Sequence, residues 1–99
     1  MEHKHISYAF SAEKNIRLKM ERDISFDEVI AAIHNDQILD IIKNPNQKKY
    51  PNQEMMIVNL KGYAYIIPFV AQSDGNIFLK TIYPSRKARN HYLKRRTHP

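Results

Sequence analysis

The chain of 99 residues contains no cysteine. Disulfide scaffolds, thiolate metal sites and cysteine nucleophiles are therefore excluded, and the expected setting is cytoplasmic. Glycine is almost as scarce, Gly62 and Gly75 being the only two. A P-loop, a dinucleotide fingerprint and a nucleophile elbow each need closely spaced glycines that this pair cannot supply. Long apolar runs are missing as well. The longest, Tyr63–Ala71, falls far short of the roughly 20 residues that cross a bilayer, so no membrane partner is expected. The start, Met1-Glu2-His3-Lys4-His5, is polar and shows no secretory signal pattern. His3 and His5 form a lone His-x-His with no third ligand at a recognisable spacing, so neither a metal nor another cofactor is expected.

What the chain has is positive charge. Its 16 Lys and Arg against 10 Asp and Glu give a formal charge of +6. At this length one domain over residues 1–99 is expected, and 42% hydrophobic residues suffice for one modest core. Lys80, Arg86, Lys87, Arg89, Lys94, Arg95 and Arg96 place +7 in residues 80–99, which hold no acidic side chain, leaving −1 for the first 79. A near-neutral body with a basic C-terminal fifth points to an anionic partner without naming it.

The pattern of the chain predicts β-α-α-β-β-β-β-α. Ile6–Phe10 reads as a short strand. Ser11 is positioned to cap a helix on which Ala12, Ile16 and Met20 recur at every fourth residue, a predicted core stripe. Ser25-Phe26-Asp27-Glu28 is a capping box opening a second helix with an apolar stripe of Phe26, Val29, Ile30 and Ile33. Ile38–Ile42 reads as a strand, and Asn44–Gln53, with its Asn-Pro-Asn and Tyr-Pro-Asn, as an extended loop. Met55–Leu60, Tyr63–Ala71 and Ile77–Tyr83 follow as hairpin-linked strands, joined by Lys61-Gly62 and Asp74-Gly75-Asn76. Tyr63–Ala71 is apolar on both faces, as in a strand buried from two sides, and Pro68 within it predicts an unpaired or bulged position. Pro84-Ser85 starts a last helix running to about Arg96. The expected class is α+β, a mostly antiparallel sheet with helices on one face.

Candidate functional residues are sought where local rules are broken. Alternation puts Lys80 between Phe78 and Ile82 on one strand face, where an apolar residue fits better. Arg86 and Lys87 would occupy the first turn of the last helix, the positive end of its dipole, where a cation costs about 0.3–1 kcal/mol. Free N–H groups there already favour an anion. Arg89 lies one turn further on. Lys94, Arg95 and Arg96, in the predicted last turn, are accounted for by helix polarity alone.

Two motifs resemble a known family. Lys14-Asn15 followed by Ile24-Ser25-Phe26-Asp27-Glu28, and Ile82-Tyr83-Pro84-Ser85-Arg86-Lys87-Ala88 followed by Tyr92, are similar to the early and late signatures of BrnT-type toxins. The resemblance implies the toxin half of a type II toxin–antitoxin pair, with a RelE-like fold and ribonuclease activity. It also implies a small antitoxin partner with a ribbon-helix-helix DNA-binding end. Arg86 falls on the family's motif arginine. The family's usual Trp-Asp pair is replaced by Tyr8-Ala9-Phe10, and its strand arginine is best matched by Lys80 or Thr81.

The chemistry that would follow is metal-independent phosphodiester cleavage, because RNA supplies its own 2′-hydroxyl nucleophile. Arg86 and Lys80 would hold the scissile phosphate, and Lys61, Lys87 and Arg89 would contact flanking phosphates. His91 or Glu54 would act as acid and base, and Tyr83 or Tyr92 would stack on a base. The alternatives are a DNA-nicking enzyme on the same scaffold and a non-enzymatic basic module that binds nucleic acid.

Overall fold

A computed structural model describes residues 6–93. Its elements are β1 (Tyr8–Ala9), α1 (Ala12–Arg22), α2 (Phe26–His34), β2 (Ile38–Lys43), β3 (Glu54–Leu60), β4 (Tyr63–Ala71), β5 (Ile77–Leu79), β6 (Tyr83–Pro84) and α3 (Arg86–Tyr92). The class is α+β, with a six-stranded sheet in the order β1-β5-β4-β3-β2 and β6 paired to β4. All pairings are antiparallel except β1 with β5. Among the described residues, no helix is long and apolar enough to cross a membrane.

Strand alternation divides the core in two. Met56, Val58 and Leu60 of β3 and Ile67 and Phe69 of β4 pack with Leu18, Ile24, Phe26 and Val29 of the α1–α2 layer. The intervening residues Ile57 and Ala64 pack on the other face with Ala88 of α3, beside Leu39, Ile66 and Tyr92. The helices therefore lie on both faces, not on one. The apolar character of both faces of Tyr63–Ala71 is the sequence sign of this arrangement, because a second apolar face requires a second cover.

The three caps form as read. Ser11, Ser25 and Ser85 accept hydrogen bonds from the backbone N–H groups of Lys14, Glu28 and Ala88. The core stripe of α1 does not. Ala12 is exposed, and Ile16 and Met20 are 63% and 80% exposed, whereas Leu18 is 3% exposed. Polar anchors, not an apolar stripe, orient this helix. Asn15 Oδ1 accepts from the Phe26 N–H at 2.7 Å, filling a free donor of α2, and Arg22 donates to the Ile82 carbonyl at 2.6 Å. Those two contacts turn Leu18 inward and leave Ile16 and Met20 outside.

The segment expected as one strand, Ile77–Tyr83, is broken into β5 and β6. The Lys80 N–H donates to the Pro68 carbonyl at 2.8 Å. The N and C=O of a strand residue face the same neighbour, so the donor that Pro68 lacks points at the gap between β5 and β6. The break also turns Ile82 to the opposite side from Lys80. Ile82 is fully buried in the α1–α2 core, and Lys80 stays exposed with its Nζ 5.5 Å from the Phe78 ring centroid. The last helix is described to Tyr92, followed by Leu93. Lys94, Arg95 and Arg96, like His3 and His5, lie outside the described residues.

Candidate nucleic-acid interface

The face of the sheet that carries α3 is built from residues that sequence reading assigned and from others that it missed. Ala64 and Ala88, both small, let α3 approach β4, and the Ser85 N–H donates to the Ala64 carbonyl at 3.0 Å. Between α3 and the edge strand β2 lies a groove of about 340 Å³, floored by Ile42, Ile57 and Ile66 and walled by Lys87, His91 and Tyr92. A second pocket of about 240 Å³ opens on the same face beyond Tyr83, bordered by Lys80, Tyr50, Asn44 and Gln53. Alternation from Met55 and Pro68 puts Asn44, Gln53 and Lys80 on this side.

Tyr92 acts mainly as a strut. Its ring packs in the second core cluster, and its hydroxyl donates to Asp40 Oδ2 at 2.5 Å. The bond holds the Asp40 carboxyl below the usual carboxylate range, helped by the Ile41 N–H and to a smaller degree by His91, against a small opposing effect of burial. The same bond raises the Tyr92 phenol above its ordinary value, with burial adding to it. Asp40 reaches this side through a bulge, since the β2–β3 register shifts between Ile38 and Asp40. Leu39 and Asp40 thereby both turn toward α3. A single apolar strand pattern does not announce that bulge, so Asp40 was not singled out from the sequence.

The predicted cations separate by position on α3. Lys87 and His91, four residues apart, share the side that lines the groove, and both are exposed. Arg86 is exposed but lies about 100° round the helix from Lys87. Arg89 is half-buried, with its guanidinium 5.4 Å from the Tyr63 ring centroid and its Nε buried without a hydrogen-bond partner among the described residues. α3 has seven residues, and the Ser85 hydroxyl already takes the Ala88 N–H. Anion binding here falls to the side chains.

Lys61 and Glu54 are not brought to this face. Lys61 Nζ sits 3.4 Å from Glu28 Oε1 on α2. Burial pushes Glu28 up, but Lys19 and Lys61 together outweigh it and hold the carboxyl below its usual value. Glu54 alternates with Met55 and pairs with Phe69, which belongs to the α1–α2 core, so its side chain is directed behind the sheet from His91. Tyr83 lies across the α3-bearing face, with its hydroxyl 3.8 Å from Met55 Sδ. Among the described residues, no group of three or more His, Asp or Glu is placed to hold a metal ion.

No family model, curated protein or solved structure matches the chain. What the site can do chemically therefore rests on its own geometry. Lys80, Tyr83, Lys87 and His91 stand on one sheet face around two hollows, and the carboxylate of Asp40 is engaged by Tyr92.

Proposed function

We propose that this protein is the toxin of a type II toxin–antitoxin pair, a cytoplasmic ribonuclease on a RelE-like scaffold that cleaves RNA without a metal. The observation that carries this reading is the gathering of Lys80, Tyr83, Lys87 and His91 on the α3 face of the sheet. Cations interleaved with an aromatic ring suit a single-stranded polyanion, whose phosphates take the charges and whose bases take the ring.

In the proposed reaction the RNA 2′-oxygen attacks the adjacent phosphorus, and the bond to the 5′-oxygen of the next nucleotide breaks. The products are a 2′,3′-cyclic phosphate and a free 5′-hydroxyl. His91 is the acid–base group within the groove, exchanging protons with the attacking or the departing oxygen. Lys80 and Lys87 neutralise the charge that grows on the phosphoryl oxygens, commonly the largest catalytic contribution. The partner is a small antitoxin whose acidic surface covers the same face by charge complementarity, through a chain bearing a ribbon-helix-helix DNA-binding end.

The test uses purified protein with end-labelled RNA and with supercoiled plasmid, each in EDTA, alongside growth of cells expressing the chain. RNA cleavage with growth arrest is expected, and Lys87→Ala should lower the cleavage rate about 10²–10³-fold while remaining folded. Plasmid nicking with intact RNA would move the reading to a DNA-directed enzyme. Binding without cleavage of either would reduce it to a nucleic-acid-binding module.

A further inference from the structure

The Asn44–Gln53 loop does more than connect two strands. Its side chains hold it in one shape. Asn46 Oδ1 accepts from the Lys49 N–H at 3.1 Å, Gln47 Oε1 accepts from the Asn52 N–H at 3.1 Å, and Gln47 Nε2 donates to the Asn44 carbonyl at 2.6 Å. The Tyr50 N–H donates to the Asn46 carbonyl at 2.9 Å. A loop fastened this way presents its side chains at fixed positions, as a recognition loop requires.

The fastening also determines how two buried amides are turned. Asn44 Oδ1 accepts the Asn46 N–H at 2.9 Å, so its other end, Nδ2, faces Gln53 and donates to Gln53 Oε1 at 2.8 Å. Gln53 is thereby oriented in turn, with its Nε2 as the outer group. The Gln53 side chain is held in place by that bond, and its Nε2 donates to no other described residue. That amide N–H is left free to donate to a ligand in the pocket that Gln53 lines. Gln53 lines the 240 Å³ pocket, together with Asn44, Lys80, Thr81 and the rings of Tyr50 and Tyr83.

Tyr50 is 38% exposed and packs in no core cluster, so its ring is open to a ligand. Lys49 Nζ lies 5.4 Å from its centroid, and Lys80 stands at the opposite side of the pocket. Flat aromatic walls, an outward amide donor and flanking cations form the set that recognises a base in a single strand. The rings stack on it, the amide reads its edge, and the cations take the phosphates on either side.

We propose that this pocket is a base-specific subsite for single-stranded RNA, with Tyr50 as stacking platform and Gln53 Nε2 donating to an exocyclic carbonyl oxygen of the base. Uracil, with two such oxygens, is favoured over adenine, which has none. The subsite rests on the RNA-directed reading above but assigns residues outside the cleavage centre, and it names the strand chemistry that the centre receives.

The test measures binding of fluorescein-labelled U12 and A12 RNA to the His91→Ala protein, a background that slows turnover about 10²–10⁴-fold. Tyr50→Ala, Tyr50→Phe and Gln53→Leu are then compared in that background, with thermal melting to verify folding. The expected result is tighter binding of U12 than of A12, at least a fivefold loss for U12 with Tyr50→Ala, and recovery to within about twofold with Tyr50→Phe. Gln53→Leu should bring U12 and A12 to similar affinities. Because the Tyr50 ring is outside the core, Tyr50→Ala keeps the question decidable if Gln53→Leu fails to fold. RNA binding by the background protein that Tyr50→Ala leaves unchanged would overturn the subsite alone. No binding to either RNA would overturn both the subsite and the RNA-directed reading. A uridine preference lost with Tyr50→Ala in a protein that never cleaves RNA would uphold the subsite and overturn only the ribonuclease reading.

Discussion

The hydroxyl of Tyr92 on α3 donates a 2.5 Å hydrogen bond to Asp40 Oδ2 on the edge strand β2, joining two elements 52 positions apart. This bond ties the free edge of the sheet to the helix that carries the candidate cations. Its stability signature follows from the two shifted groups. Asp40 is held below its ordinary value when folded, so its contribution is present above the unfolded carboxylate pKa, near about 3.9, and is lost as pH falls through the folded value. Tyr92 is raised, so its contribution is present below the unfolded phenol pKa, near about 10, and is lost as pH rises through the folded value. Tyr92→Phe should therefore lower the melting temperature most between those limits, with the gap to the parent narrowing at both extremes. Parallel melting profiles from pH 3 to 11 would show that the bond does not contribute.

A second prediction separates the two kinds of apolar residue on α1. Leu18 is 3% exposed and packs against the α2 side of the sheet, so Leu18→Ala should cost about 2–5 kcal/mol in a denaturant titration. Ile16→Ser and Met20→Ser, at exposed positions, should stay within about 0.5 kcal/mol of the parent. Asn15→Ala should cost about 1–3 kcal/mol, because it leaves the Phe26 N–H without its acceptor. Equal losses at Leu18 and Met20 would mean that the helix is turned differently.

The contrast on α1 explains what the sequence could disclose. Ser11, Ser25 and Ser85 were legible as caps because each bonds an N–H three residues away, a contact that the local spacing specifies by itself. Tyr63–Ala71 was legible in its bounds and as a strand buried from two sides, yet the architecture expected from the sequence put helices on one face, where the structure has them on both. The orientation of α1 was not legible, because Asn15 and Arg22 bond to Phe26 and Ile82, and polar anchors leave no trace in apolar periodicity. Asp40 was hidden by its bulge, and Tyr50 and Gln53 by a loop whose shape depends on amide bonds across it. The basic residues were found by their cost to the helix. Which of them share a face was decided by the β5–β6 break and the short span of α3.

The third prediction concerns the acid–base group. His91 lines the groove, whereas Glu54 is directed to the other side of the sheet. In the RNA cleavage assay His91→Ala should lower the rate about 10²–10⁴-fold, the range of one general acid or base. Glu54→Gln should leave the rate within about twofold of the parent, since it has no route to the groove. A rate that collapses with Glu54→Gln and survives His91→Ala would transfer the chemistry to the opposite face.

The last prediction reads the position of each lysine from the salt dependence of binding. Each phosphate neutralised on a single strand contributes about 0.7 to the slope of log K against log salt. Lys80 and Lys87 border the two hollows, so Lys80→Gln and Lys87→Gln should each flatten the slope for U12 RNA by about 0.7. Lys61 is paired with Glu28 on the α1–α2 side, so Lys61→Gln should leave the slope unchanged while disturbing that ion pair. Arg89, half-buried against Tyr63, should change the slope less than Lys87 does, because its charge is already placed over a ring. A slope that responds equally at Lys61 and Lys87 would mean that the charged surface acts without regard to face, and the α3 side would lose its claim to be the interface.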